Sequence, residues 1–363
     1  MDPDIQTTNE DKNAKFLFEE LQTLNNRIQQ TQGLPEDLKL KLEQMVMRLE
    51  RMAKYGHYET EFDTLSRYIE TITSMPWSVK TKDRLDLAFA KEMMDKTHFG
   101  MEYVKDRILE YLSTLILLNK RGKDAISRSP ILLFVGLQGV GKTTLALSIA
   151  KALERKFIRI AMGGIGSTLE LRGKSKAFPE AEPGQIVKAL IKTGVKNPVI
   201  LLDEIEKASG EKGLRSDIMA VLLEILDPSQ NIEFRDHYVD YPVDLGDVLF
   251  ICSANNLGTI SAALMDRMEV IKMPSYTDAE KLAIAKDYLM PQIFERTGLR
   301  PEELEIDPNL WPGIVRPFGF DTGIRSLGRT LESICRKVAK EIVEGKTTKV
   351  YLTAENLKYY LPQ

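Results

Sequence analysis

The sequence predicts an α/β fold: a parallel sheet with helices on both faces, preceded by a helical arm and followed by a small all-α lid. Three observations carry this reading. Five strand-length runs occur: three unbroken apolar ones, Ile131–Val135, Val199–Leu202 and Val248–Cys252, and two short strands, Phe157–Ile160 and Val270–Met273. Unbroken runs of strand length read as strands covered on both faces. Segments with helical spacing separate them, as parallel connections require. A glycine loop sits between the first run and a helix. The expected division is an arm at 1–82, an α/β domain at 83–273 and a lid at 274–363.

Residues 1–15 are polar and are expected to be disordered. Leu17, Leu21, Leu24 and Ile28 give one helical stripe, and Leu38, Leu42, Met45, Leu49 and Met52 a second. A third helix is expected over Thr60–Thr73, with Phe62, Leu65, Ile69 and Ile72 on one face. These stripes fit ordinary helix packing or a coiled arm that contacts neighbouring subunits or substrate. Met75-Pro-Trp77 breaks the pattern. Asp83–Asp95 reads as helix, His98-Phe99-Gly100 as a turn, and Met101–Asn119 as a long amphipathic helix.

The stretch Gly136-Leu137-Gln138-Gly139-Val140-Gly141-Lys142-Thr143 has the pattern G-x-x-x-x-G-K-[ST] in a strand–loop–helix context. Glycines let backbone N–H groups turn inward around a polyphosphate. A helix beginning near Lys142 and Thr144 points its positive end at that anion. Lys142 supplies a mobile charge for the β- and γ-phosphates, and the Thr143 hydroxyl suits Mg²⁺. These features predict ATP and Mg as ligands. The plain alternative is a chance match in a glycine-containing turn, which the agreement of strand, loop and helix disfavours.

After the short strand at Phe157, Gly163–Glu182 reads as a charged, glycine-containing loop region, and Val187–Lys192 as a helix. The third run ends in Asp203-Glu204, at the strand end where open α/β sheets hold ligands. Asp203 would hold Mg²⁺ through water, and Glu204 would polarise the attacking water. Two acids there are also common as a solvated strand end; downstream of a phosphate loop they read as completing an ATPase. The fourth run leads into Asn255, either a turn residue or an amide reaching the γ-phosphate or lytic water. Arg267 sits in a charged elbow before the fifth run. Helices are expected over Asp278–Tyr288, Gln292–Arg296 and Gly323–Glu344, with Arg325 at the start of the last.

Composition bounds the function. The formal net charge of −3 lacks the basic excess that a nucleic-acid partner calls for. Cys252 and Cys335 lie far apart in apolar contexts, as core residues of a reducing compartment do. His57, His98 and His237 show no ligand spacing. No apolar run approaches a membrane span and the start is polar and acidic, so a cytoplasmic location is expected.

Several strings together resemble the ATPase module of the Lon family of AAA+ proteases, over about residues 60 to 363. They are MPW at Met75, HFGMEYVKDRILEYL at His98, VGLQGVGKTTLALSIAKAL at Val135, ELRG at Glu170 and NPVILLDEIEK at Asn197. LLEILDPSQN at Leu222, FRDHY at Phe234, LMDRMEVI at Leu264 and GIRSLGRTLESICRK at Gly323 complete the set. The resemblance implies a hexameric ring in which Asn255 is the first sensor and Arg325 the second. Arg267 would be the arginine finger acting on a neighbour's ATP. It places adenine at the turn before Met101. It makes Lys174–Pro183 the first substrate-gripping pore loop, with Phe178 and Pro179 at its tip. Phe234–Tyr238 would lie in the second.

Three departures stand out. Leu137-Gln138 replaces the usual Pro-Pro, and Phe178-Pro179-Glu180 replaces the usual aromatic–aliphatic–Gly. No serine–lysine peptidase motif is evident. The leading expectation is a motor that unfolds or translocates proteins for a separately encoded Lon-type peptidase. A fragment of a complete Lon protease is its near variant. A regulatory nucleotide-binding module with little turnover is the first alternative, and a clamp-loader-like or DNA-remodelling ATPase the second. The acid pair with Asn255, Arg267 and Arg325 argues against the former; the acidic charge and the Lon-like strings argue against the latter.

Overall fold

The computed structural model describes residues 19–55, 59–122, 130–178, 180–208, 214–316 and 323–362. The expected disordered stretch 1–15, His57 and Pro179 lie outside them. Helix α1 covers residues 19–30, α2 Glu36–Tyr55 and α3 Glu59–Ser74. Two further helices follow, α4 at Leu87–Asp95 and α5 at Glu102–Lys120. The segment expected to be helical from Asp83 is extended up to Asp86, which caps α4 by accepting from Phe89 N at 3.1 Å. Asp83 instead forms a two-pronged pair with the buried Arg155. Short polar side chains favour such cap positions over helix interiors.

The sheet strands are β1 Ile131–Val135, β2 Phe157–Ala161, β3 Val199–Asp203, β4 Leu249–Ala254 and β5 Met268–Lys272. They pair in the order β2-β3-β4-β1-β5, all parallel. Strand β1 lies between β4 and β5, with Leu132 opposite Ile251 on one side and Glu269 on the other. The connection direction changes at β1, so a crevice opens at its carboxyl end, where the glycine loop begins.

The unbroken apolar runs follow from burial on both faces. Leu133, Ile200, Leu202, Phe250 and Cys252 join one core, while Leu132, Phe134, Leu201, Leu249 and Ile251 join the other. Successive strand residues point to opposite faces, so the inner strands β1, β3 and β4 are apolar along most of their length, while the outer strands β2 and β5 carry Arg159, Glu269 and Lys272. The second core contains α4, α5 and the helix after the glycine loop, α6 at Lys142–Ala152.

The first core includes the arm. Leu21, Leu24, Ile28, Leu38, Leu42, Leu49, Phe62, Ile69 and Ile72 are buried in it with the sheet residues. The buried Tyr68 donates to the Val239 carbonyl at 2.9 Å. Packing against the α/β body therefore explains these stripes. Leu40 and Met47 of α2 remain exposed. Fully burying a Leu or Ile side chain contributes ~1.5–3 kcal/mol, so the arm is a substantial part of this core.

The lid has its own core. Its long helix, Ile324–Val343, buries Leu327, Leu331, Ile334, Cys335 and Val338 against Ile293, Trp311 and Ile314. It is helical apart from one short parallel pair, Leu304–Ile306 with Val350–Leu352. Both cysteines are free and buried, as expected of core residues.

Candidate ATP site

The glycine loop leaves β1 with geometry that side chains would obstruct. Gly139 and Gly141 have φ of 89° and 101°, in the left-handed region that glycine adopts without strain. A Cβ on Gly136 would lie 2.7 Å from the Met273 carbonyl, and one on Gly141 2.6 Å from His98 Nε2. Gly141 precedes α6 without a side-chain cap, so the first-turn N–H groups lack a capping side chain. The loop lines a cavity of about 610 Å³ with Gln138, Gly139, Val140, Gly141, Lys142, Thr143 and Thr144. Leu137 is exposed beside it.

Lys142 lies at the base of this loop. Its Nζ donates to the carbonyls of Gly136 at 2.6 Å and Leu137 at 3.0 Å, and to Asn255 Oδ1 at 3.0 Å. Burial pushes its pKa below the usual lysine range, against the pull of Asp203, Glu206 and Glu204. The ammonium is held by groups that a phosphate can replace.

Asp203 and Glu204 end β3 on the cavity wall. Asp203 accepts from Arg159 Nε at 2.5 Å and from the Ser253 hydroxyl. Glu204 adopts a left-handed backbone conformation, φ 59° and ψ 49°, and its N–H donates to Ser253 Oγ at 3.1 Å. Its carboxylate pairs with Lys207 at 3.0 Å, and that hydrogen bond holds its pKa below the usual range. Asn255 follows β4; its Nδ2 donates to Glu206 Oε1 at 2.7 Å and lies 3.4 Å from Glu204 Oε1. The register of β3 beside β4 brings these acids and the amide together.

The opposite wall comes from the turn before α5 and from the lid. Phe99 meets Tyr288 edge-on at 6.5 Å, and both line the cavity with Tyr276 and Ile284. The buried His98 places Nε2 3.0 Å from the Gly141 carbonyl and Nδ1 2.9 Å from Thr97 Oγ1. The carbonyl can only accept, so Nε2 carries the proton and Nδ1 accepts from Thr97. Arg325 lines the cavity at the start of the long lid helix, beside Gly139.

Two predicted site features stand elsewhere. Arg267 does not line this cavity. Its Nη2 donates to Asp227 Oδ2 at 2.7 Å and its Nη1 to the Ala263 carbonyl at 3.0 Å. Phe178 is 63% exposed near the tip of a loop whose neck is the Lys174–Glu182 bridge. The buried Asp236 fastens that neck by accepting from the N–H groups of Gly184, Tyr238 and Val239. Within Phe234–Tyr238, Phe234, Asp236 and Tyr238 are buried and only Arg235 and His237 face solvent. The segment thus supports the first loop from below.

Sequence reasoning missed Arg159, Glu206, Lys207, Ser253 and Asp227. A charged residue inside the short run Phe157–Ala161, and a third acid two residues after Glu204, were the available signals. Among the described residues no three His, Cys, Asp or Glu side chains are grouped as a metal would need, and no helix is long and apolar enough to cross a membrane.

The profile described as "ATPase family associated with various cellular activities (AAA)" matches residues 132–275, and "Lon protease AAA+ ATPase lid domain" matches residues 295–351. The chain is 42% identical to the Lon protease of Desulforamulus reducens over 319 residues, 88% of this chain and 38% of that protein. It is 39% identical to Lon protease 2 of Thermus thermophilus over 371 residues, 97% of this chain and 46% of that one. It is 42% identical to Lon protease 1 of Bacillus subtilis over 342 residues, 94% and 43% of the two chains. The chain spans less than half the length of these relatives. With the first profile covering the sheet and the second the helical segment behind Arg325, the chain belongs to the Lon family as an AAA+ ATPase module.

Proposed function

We propose that this chain is the magnesium-dependent ATPase motor of a homo-hexameric ring, which unfolds or translocates protein substrates for a peptidase carried on another chain. The observation that carries this reading is the meeting of Lys142, Asp203, Glu204 and Arg325 at one cavity, with Asn255 hydrogen-bonded to Lys142 at its base, while Arg267 stands outside it. In this reading the loop N–H groups and Lys142 hold the phosphates, Lys142 exchanging two backbone carbonyls for phosphate oxygens. Asp203 spends two of about four lone-pair directions on Arg159 and Ser253. It therefore has room for a cation's water ligand. Thr143 and Asp203 would hold the Mg²⁺, which supplies positive charge against the phosphate oxygens. Glu204 polarises the attacking water, Asn255 orients it, and Arg325 stabilises growing negative charge from the lid. Arg267 acts on the ATP of the next subunit. Phe178 grips substrate at the loop tip.

The motor comprises the α/β part, 83–273, and the lid, 274–363, with the arm, 1–82, as its support. That the serines near the site are committed elsewhere supports assigning peptide cleavage to another chain. Ser253 serves Asp203, and Ser148 bonds to Thr97 and the Thr144 carbonyl. Neither has a lysine base as a partner, which serine–lysine chemistry needs. The purified chain is expected to hydrolyse ATP, faster with an unfolded protein present, and to leave casein intact until a Lon-type peptidase is added. Casein cleavage by the chain alone would overturn the division of labour. Absent ATP turnover would favour a regulatory nucleotide-binding module.

A further inference from the structure

Glu206 is a buried acid beside the cavity with one carboxylate oxygen left without a hydrogen-bond partner. It is 7% exposed, on the short turn Ile205–Lys207 after β3. Its Oε1 accepts from Asn255 Nδ2 at 2.7 Å, and its Oε2 is buried with no hydrogen-bond partner. A buried carboxylate oxygen without a hydrogen-bond partner is costly even with the Lys142 ammonium attracting the group, and a well-packed apolar residue would avoid that cost. Something other than stability accounts for it.

What the carboxylate supplies is direction. A carboxylate accepts hydrogen bonds and an ammonium donates them. Asn255 lies between one of each: Nδ2 on Glu206 and Oδ1 on Lys142 Nζ. Its amide is thereby held in one of two orientations. When Lys142 turns to a phosphate, Oδ1 loses its donor, and the short bond from Nδ2 to Glu206, backed by the longer 3.4 Å contact to Glu204 Oε1, opposes an amide flip.

We infer that Glu206 is a positioning residue for ATP hydrolysis, holding Asn255 so that Oδ1 faces the end of Lys142 and accepts from the attacking water. A flipped amide would present N–H groups there. Those would engage the lone pair that the water uses to attack phosphorus. This inference rests on the ATPase reading above.

The test compares Glu206→Leu, Glu206→Gln, Asn255→Ala and the Leu/Ala double variant. Its readouts are ATP turnover, affinity for a fluorescent ATP analogue, and thermal unfolding. Glu206→Leu is expected to lower kcat by about tenfold or more. Analogue affinity should stay within about threefold, and the melting temperature should be equal or higher. Glu206→Gln should recover most of the turnover, since its amide oxygen still accepts from Nδ2. In the Asn255→Ala background, Glu206→Leu should cost less than about twofold, because a residue acting through Asn255 has nothing left to act on.

Normal turnover in Glu206→Leu would overturn the inference. So would losses of affinity and melting temperature parallel to kcat, a Gln variant as impaired as Leu, or losses that multiply in the double variant. A wild-type chain without ATP turnover would sink the ATPase reading and this inference together. An active wild type with an equally active Leu variant would sink this inference alone.

Discussion

The phosphate end of the sheet and the elbow carrying Arg267 belong to the same five strands but are built in opposite ways. At the phosphate end, polar groups from α6, from β2, β3 and β4, and from the turns after β3 and β4 pair with one another around a cavity. At the elbow, Arg267 is 37% exposed, turned away from that cavity, and clasped by Asp227 of its own chain. Asp227 is itself organised by Ser229, which donates both its N–H and its hydroxyl. An arginine held in one pose, away from its own site, suits work on a neighbour's site. A complete cavity suits binding within one chain. In the proposed ring this difference would make binding and turnover separable, with assembly affecting the second more than the first.

The sharpest way to break this comparison is at Arg267. Arg267→Ala is expected to lower ATP turnover by about 10³-fold, the lower range for an arginine finger, with ATP affinity little changed. Mixing it with Lys142→Ala subunits should restore part of the activity, since some interfaces then join an intact site to an intact arginine. Concentration-independent turnover without rescue on mixing would remove the trans role.

Within the cavity the comparison sharpens between charge for binding and charge for chemistry. Glu204→Gln should bind ATP normally and hydrolyse it about 10²-fold more slowly or worse. Lys142→Ala should weaken ATP binding by about 10²-fold, near 2.7 kcal/mol. Equilibrium binding beside single-turnover hydrolysis tells the two apart. Normal hydrolysis in Glu204→Gln would show that the water is activated by another group.

The smallest effect concerns stability at the elbow. The hydrogen bonds from Ser229, and then Arg267, hold the Asp227 carboxyl well below its usual pKa range. A depressed carboxyl stabilises the fold above its unfolded pKa, near ~3.9, and loses that contribution as pH falls through the folded value. Asp227→Asn should therefore cost about 1–3 kcal/mol at pH 7, with the gap to wild type closing below about pH 4. Equal melting temperatures at pH 7 would show that the clasp adds nothing to stability.

The five strands, the glycine loop and the Asp203–Glu204 pair were legible in the sequence because their signals are local. A strand buried on both faces is apolar at each position, and a phosphate loop needs its glycines next to its lysine. Helices announced themselves by spacing for the same reason, although the Asp83 helix start did not hold because Asp83 and Asp86 found better partners in Arg155 and the α4 cap. The tertiary structure alone decided which distant groups meet. Arg159 reaches Asp203 only because β2 lies beside β3, and Glu206 reaches Asn255 only because β4 follows on the other side. It also decided that Arg267 faces Asp227, that FRDHY is mostly buried, and that the arm shares the sheet's core. These are hydrogen bonds and contacts between residues far apart in the chain. Their geometry depends on strand order and register, and neither is written in the spacing of any single segment.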